Sequence, residues 1–187
     1  MSAPDLQPSP EPVSVASAPS ADATEAGQSP SAPLLRPATR DDVAAIVQLI
    51  CDGDTSGKPV APLTEAAMAG FLAAFEEIDA GANEVLLVAE IDGTVVGTCQ
   101  ITFCRTLASE ARLRATLEAV HVAPDRRGQG LGAIMVAHAV RLATERGAGI
   151  MQLTSNKKRL DAHRFYERLG FLKSHEGFKL DLRQTDR

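Results

Sequence analysis

Three glycines alternate at Gly128, Gly130 and Gly132, between an apolar run that ends at Val122 and a stretch with helical periodicity. The segment reads Leu117-Glu-Ala-Val-His-Val-Ala-Pro-Asp-Arg-Arg-Gly-Gln-Gly-Leu-Gly-Ala133. Glycine lets backbone N–H groups approach a ligand with no Cβ in the way. A helix start adds unsatisfied donors and the positive end of its dipole, so the turn suits a phosphate or pyrophosphate. Arg126 and Arg127 bring positive charge beside it. Glycines can also do no more than shape a turn; their place between strand and helix makes the anion site the stronger reading.

Two kinds of anion carrier compete for this turn. Gly128, Gly130 and Ala133 satisfy the dinucleotide pattern G-x-G-x-x-A. That pattern needs an acid at the end of the next strand, about 20 residues on, to hold a ribose. Here that strand reads Ile150-Met-Gln-Leu-Thr154, and the next acid is Asp161 in a helical stretch. Too little chain remains for a doubly wound sheet. A nicotinamide site is set aside.

Other reactive side chains give weaker signals. Cys51, Cys99 and Cys104 are an odd number without metal-ligand spacing, and are expected to be reduced and mostly buried thiols. His138 lies on an apolar helical stripe, while His163 and His175 sit in polar surroundings. No residues show metal spacing, so no metal is expected. Tyr166 is the only tyrosine, and with Ala162, Phe165 and Leu169 it forms one helical face. Periodicity alone makes it a core aromatic with a satisfied hydroxyl. Lys157-Lys158-Arg159 reads as a solvated helix start.

The elements that position these residues follow from apolar spacing. Leu34–Pro37 is a short strand, and Thr39 caps a helix whose stripe is Val43, Ile46, Val47 and Ile50. After a breaker-rich loop from Asp52 to Pro62, Met68, Phe71, Leu72 and Phe75 mark a second helix to about Ile78. Val85–Ile91 and Thr94–Phe103 are strands joined by Asp92-Gly93 as a hairpin, and Leu113–Val122 is a third long strand. A helix from Gly130 to Arg146, with Leu131, Ile134, Met135, His138 and Leu142 on one face, stops at Gly147. Ile150–Thr154 is a strand and Leu160–Leu169 a helix ending at Gly170. Phe171–Leu182 offers two short strands around Glu176-Gly177. The result is a mixed α/β sheet of six to seven strands flanked by about four helices.

Composition bounds the rest. Residues 1–33 hold 7 of the 11 prolines, four acids and no Lys, Arg or aromatic residue. Such a segment buries too little to offset ordering, so a disordered acidic tail over 1–33 and one domain over 34–187 are expected. The tail carries four of the five net negative charges, which leaves the body at −1 and argues against a nucleic-acid partner. No apolar run reaches the ~18 residues of a membrane span, and the N-terminus lacks a secretory or transit pattern. The expectation is a cytoplasmic protein with no membrane partner.

At the glycine turn the chain resembles the GCN5-related N-acetyltransferase (GNAT) family. The family's hallmark, [Q/R]-x-x-G-x-[G/A], is here Arg127-Gly-Gln-Gly130-Leu-Gly132, and a second match runs through Thr154-Ser-Asn156 and Ala162-His-Arg-Phe-Tyr166-Glu-Arg-Leu-Gly170-Phe171. The resemblance covers about Leu34 to Leu182. It implies a GNAT fold, with the sheet splayed between Leu113–Val122 and Ile150–Thr154 to admit acetyl-CoA as co-substrate. By resemblance, the backbone at Val120, His121 and Val122 aligns the acetyl and pantetheine. The N–H groups of Arg127, Gly128, Gln129, Gly130, Leu131, Gly132 and Ala133 hold the pyrophosphate, and Asn156 meets the pantetheine arm.

The resemblance also changes the reading of two side chains. It implies that Tyr166 lies by the cofactor sulfur and protonates the departing thiolate. Glu118 stands where family members often carry a carboxylate, and is the candidate base for the incoming ammonium, through water. Strand alternation puts Glu118 on one face with Val120 and Val122, and His121 on the other. The implied function is direct acetyl transfer from acetyl-CoA to a primary amine, on a small molecule in preference to a protein or peptide. A non-catalytic acyl-CoA-binding module is the rival. A homodimer is an open alternative, and the acceptor is not legible in the loops at Asp52–Leu63 and Arg105–Arg112.

Overall fold

The computed structural model describes residues 31–54, 63–107 and 109–182. The tail expected over 1–33 therefore lies, except for 31–33, outside the described residues, as does most of the loop after Asp54. Five strands form, β1 (Leu34–Pro37), β2 (Glu84–Ile91), β3 (Thr94–Arg105), β4 (Leu113–Val122) and β5 (Ala148–Leu153). Four α-helices join them, α1 (Val43–Asp52), α2 (Glu65–Ala80), α3 (Leu131–Glu145) and α4 (Leu160–Arg168). Among the described residues, no helix is long and apolar enough to cross a membrane.

The sheet runs β1-β2-β3-β4-β5, antiparallel except for the parallel β4–β5 pair that α3 connects. Alternation along β2 sends Leu87 and Ala89 to one face and Val88 to the other. On the first face they meet Met135, Val136 and Ala139 of α3, with Phe165 and Tyr166 of α4 packed alongside. On the second, Val88 meets Val43, Ile46 and Val47 of α1 and Phe75 of α2.

A partly buried ion network pins the start of α1 to the sheet. Arg36 on β1 grips both carboxylate oxygens of Asp42 (2.7 and 2.9 Å) and also donates to Glu90 on β2. Asp42 in turn accepts from the backbone N–H and hydroxyl of Thr39. Thr39 stands at the N-cap of a short 3-10 turn, Arg40–Asp42, that leads into α1, with its backbone carbonyl accepting the Asp42 N–H and the Asp42 carboxylate reaching back to it.

Two expectations need correction. The sheet has five strands among the described residues, because Phe171–Leu182 forms neither of its expected strands. The chain leaves α4 through a left-handed Gly170, with Gly170 N–H bonded to the Glu167 carbonyl and Phe171 N–H to that of Tyr166. This Schellman end folds Phe171 back onto α4. The following Leu172, Phe178 and Leu180 stay exposed, and a lone hairpin with no sheet to pack on is marginal. The second correction concerns the buried face of α3. Ile134 is exposed, and Leu131, Met135, Val136, Ala139 and Ala143 form the inner stripe.

Candidate active site

β4 and β5 pair from Leu113 with Ala148 to Leu117 with Leu153, with a register shift after Leu113, and no further. β5 ends there, while β4 continues to Val122 paired only with β3. Pairing between the two parallel strands therefore stops at Leu117 and Leu153, and β4 runs on toward the glycine turn with no partner on its β5 side.

The turn is shaped for an anion. Gly128 and Gly130 have φ of +77° and +82°, a region where only glycine is unstrained. Arg126 and Arg127 donate their N–H groups back to Ala123 and Pro124, and Ala133 and Ile134 donate theirs to Gly130. The N–H groups between, from Gly128 to Gly132, have no backbone acceptor among the described residues. They converge at the start of α3, where the dipole adds positive potential.

The side chains around the turn divide their work. Arg127 donates Nε to the Val122 carbonyl (3.0 Å) and Nη2 to that of Asp52 (3.3 Å), tying the turn to β4 and to the end of α1. Gln129 donates to the Asp125 carbonyl at 2.8 Å. Arg126 Nε is buried 3.5 Å from a carboxylate oxygen of Asp125, an ion pair that lacks hydrogen-bond geometry. The Ser155 hydroxyl, just beyond β5, is buried and has no hydrogen-bond partner. This orphaned hydroxyl past the end of β5 fits a ligand with an amide-bearing arm. Asn156 next to Ser155 accepts the Lys158 N–H on its side-chain oxygen, which leaves its amide N–H₂ to donate.

Tyr166 enters from α4. Phe165 and Phe171 hold its ring edge-on, with centroids at 5.0 and 5.8 Å, and it packs on the α3 side of the core. Its hydroxyl has no hydrogen-bond partner among the described residues, so the satisfied core tyrosine suggested by periodicity is absent. Burial raises its pKa above the ordinary value, against an opposing effect of the Arg159 charge. It stays protonated at neutral pH and able to donate. Phe165 also closes on Gly132, where an added Cβ would lie 3.4 Å from the ring.

The placement of Glu118 overturns the expected alternation. Gln100 on β3 pairs with Glu118 and Thr98 with His121, so two residues of β3 span three of β4. The extra residue is a bulge at Ala119, whose φ is +49°. Glu118 and His121 therefore share the face covered by α1 and α2, while Val120 and Val122 pack with the α3 cluster. Glu118 is exposed, within 3.5 Å of the Thr102 hydroxyl. His121 abuts the end of α1, where a side chain on Gly53 would collide with its ring. Burial, then the charges of Arg159 and Arg127, lower its pKa and keep it neutral. Nothing in the sequence marked this contact, because it depends on a bulge that alanine does not announce.

The remaining candidates are unremarkable. Cys99 is buried in the core, where burial pushes its thiol up to about 12; Cys51 is half-buried and Cys104 exposed. No group of residues suited to a metal occurs among the described residues.

Comparison with known proteins places this geometry in a family. The model of the acetyltransferase (GNAT) family matches residues 45–171. Streptothricin acetyltransferase of Streptomyces lavendulae is 35% identical over 80 residues, 43% of this chain and 40% of that protein. Aminoalkylphosphonate N-acetyltransferase of Salmonella typhimurium is 46% identical over 57 residues, 30% of this chain and 37% of that one. The matches thus span about two fifths of each curated relative's length. Among solved structures, a protein of Bacillus halodurans C-125 described as a transcriptional regulator is 38% identical, with a TM-score of 0.76 over 81% of this chain and 100% of that one. With the family's model matched over residues 45–171, from α1 through the glycine turn to the end of α4, this chain belongs to the acetyltransferase (GNAT) family.

Proposed function

We propose that the chain is an N-acetyltransferase that moves an acetyl group from acetyl-CoA to a primary amine of a small molecule, by direct attack in a ternary complex. The observation that carries this reading is the end of the β4–β5 pairing at Leu117 and Leu153, followed along β4 by a turn whose N–H groups from Gly128 to Gly132 have no backbone acceptor among the described residues. The relatives named for acetyl transfer to streptothricin and to an aminoalkylphosphonate support a small-molecule acceptor.

Bound in the wedge, acetyl-CoA supplies an acetyl group on a thioester. The N–H groups from Gly128 to Gly132 and Arg126 would hold the pyrophosphate, and Ser155 and Asn156 would donate to the arm. Glu118, on the opposite face of β4 from Val120 and Val122, takes the proton that the ammonium must lose, through a water. The carbonyl carbon gains a bond to nitrogen and loses its bond to sulfur. The Tyr166 hydroxyl gives its proton to that sulfur. Its contribution is limited, because a thiol of pKa ~8.5 leaves readily at neutral pH. No cysteine is placed as a nucleophile, in keeping with transfer that forms no acyl-enzyme.

Incubation of the chain with acetyl-CoA and a panel of primary amines, followed by mass spectrometry, tests the reading. Products heavier by one acetyl group are expected. Tight acetyl-CoA binding with no product from any amine would favour the non-catalytic module.

A further inference from the structure

On the α1/α2 side of the sheet lies a cavity of about 110 Å³ that neither the turn nor the wedge uses. Ile46 and Ile50 of α1 and Phe71 and Ala74 of α2 form its walls. Its floor includes Gln100, the register partner of Glu118, and Ala119, the bulge residue next to it. The cavity therefore lies next to Glu118, the residue assigned to deprotonate the acceptor, although the Glu118 side chain is not part of its lining. None of its described lining side chains is charged. Thr98 offers little polarity, because its hydroxyl is committed to the Leu87 carbonyl at 3.0 Å. Ile50 and Phe71 remain 38% and 42% exposed, so apolar surface is left uncovered on two of the walls.

We propose that this cavity receives an apolar substituent of the acceptor, so that the chain selects primary amines with an aliphatic or aromatic group over polar ones. The inference rests on the acetyl-transfer reading and names its substrate class. Three observations converge on this occupant. The cavity adjoins Glu118, so an amine with its nitrogen at the carboxylate directs its carbon chain among the isoleucines. The volume is slightly below the ~150 Å³ of an apolar cavity that takes up benzene, which suits a group of about five carbons. A polycationic acceptor needs several carboxylates, and this lining has none. Apart from the Gln100 amide at the floor, the lining offers a polar acceptor no uncommitted side-chain partner.

Steady-state kinetics with isoamylamine and ethylamine, which differ by three carbons, read the preference directly. At the usual gain per buried methylene, kcat/KM should favour isoamylamine by about 50-fold. Ethanolamine should be no better than ethylamine. Ala74→Leu fills the cavity and should bring isoamylamine and ethylamine within about threefold of each other, with a melting curve to establish that the variant folds. Crystals grown with CoA and isoamylamine give a readout independent of turnover, since difference density should place the branched carbon chain between Ile46 and Phe71. Equal kcat/KM for isoamylamine and ethylamine, or isoamylamine bound elsewhere, overturns the inference. Isoamylamine in the cavity without thiol release from any amine leaves the apolar amine site standing and overturns the transfer reading instead.

Discussion

Leu117 and Leu153 are the last residues paired between the parallel strands β4 and β5, and the residues assigned to chemistry follow directly after them. Beyond Leu117 come Glu118, the bulge at Ala119 and the backbone of Val120 to Val122. Beyond Leu153 come Ser155 and Asn156. Neither strand can satisfy the other's backbone past this point, so the opening is a source of unpaired donors and acceptors as well as a space. α3 and α4 then bring the glycine turn and Tyr166 to its two sides.

The glycine turn yields a binding test. Asp at position 130 would need the left-handed φ of +82° and would put a negative charge where the N–H groups converge. A Cβ there meets open space, so the fold should survive with a loss of about 1 kcal/mol. Calorimetry should show acetyl-CoA affinity reduced beyond detection in Gly130→Asp. Parent-like affinity would remove the phosphate cradle.

The two proton-transfer roles separate by pH. Tyr166→Phe keeps the ring between Phe165 and Phe171 and deletes only the hydroxyl. It should lower kcat by about 10²-fold, the low end of general acid effects. Glu118→Gln should lower the rate by ~10²–10⁴-fold at neutral pH, with the loss shrinking as pH rises and free amine accumulates. A Glu118→Gln profile that overlays the parent's would move the base elsewhere, with a backbone-held water the next candidate.

Acid stability follows from the Arg36 network. The hydrogen bonds from Arg36, opposed by burial and aided by those from Thr39, hold the Asp42 carboxyl down at about 2. The unfolded chain takes up this proton first as pH falls. The network therefore stabilises fully above about pH 5 and loses its contribution between about pH 5 and pH 2, a change of about 2 kcal/mol. Arg36→Met would leave Asp42 buried without its cation and should cost about 3 kcal/mol at neutral pH. Urea melts of the parent and this variant across that range check both statements. An equal acid slope in the two proteins would assign it to other carboxylates.

Legibility in the sequence tracks how locally a feature is encoded. The Asp92-Gly93 hairpin, the glycine turn and the Gly170 stop are set by a few adjacent residues, and all stand where the spacing puts them. The stripe on α1 is similarly local, although Ile50 at its end faces the cavity and stays exposed. Features that need a partner elsewhere were hidden. Phe178 and Leu180 alternate like a strand, yet alternation by itself does not make one, and both stay exposed. The bulge at Ala119 arises from the β3–β4 register, and it reverses which residues accompany Glu118. Tyr166 has the opposite lesson: its spacing is that of a core residue, and only the absence of a partner for its hydroxyl distinguishes it.

The central claim is that the wedge between β4 and β5 binds acetyl-CoA for transfer to an amine. Free thiol released from acetyl-CoA, followed with a chromogenic disulfide while amine concentration is varied, measures it most directly. The account predicts release that saturates with amine, falls to background in Gly130→Asp and slows in Tyr166→Phe. Release that ignores the amine, or that persists undiminished in Gly130→Asp, would contradict it.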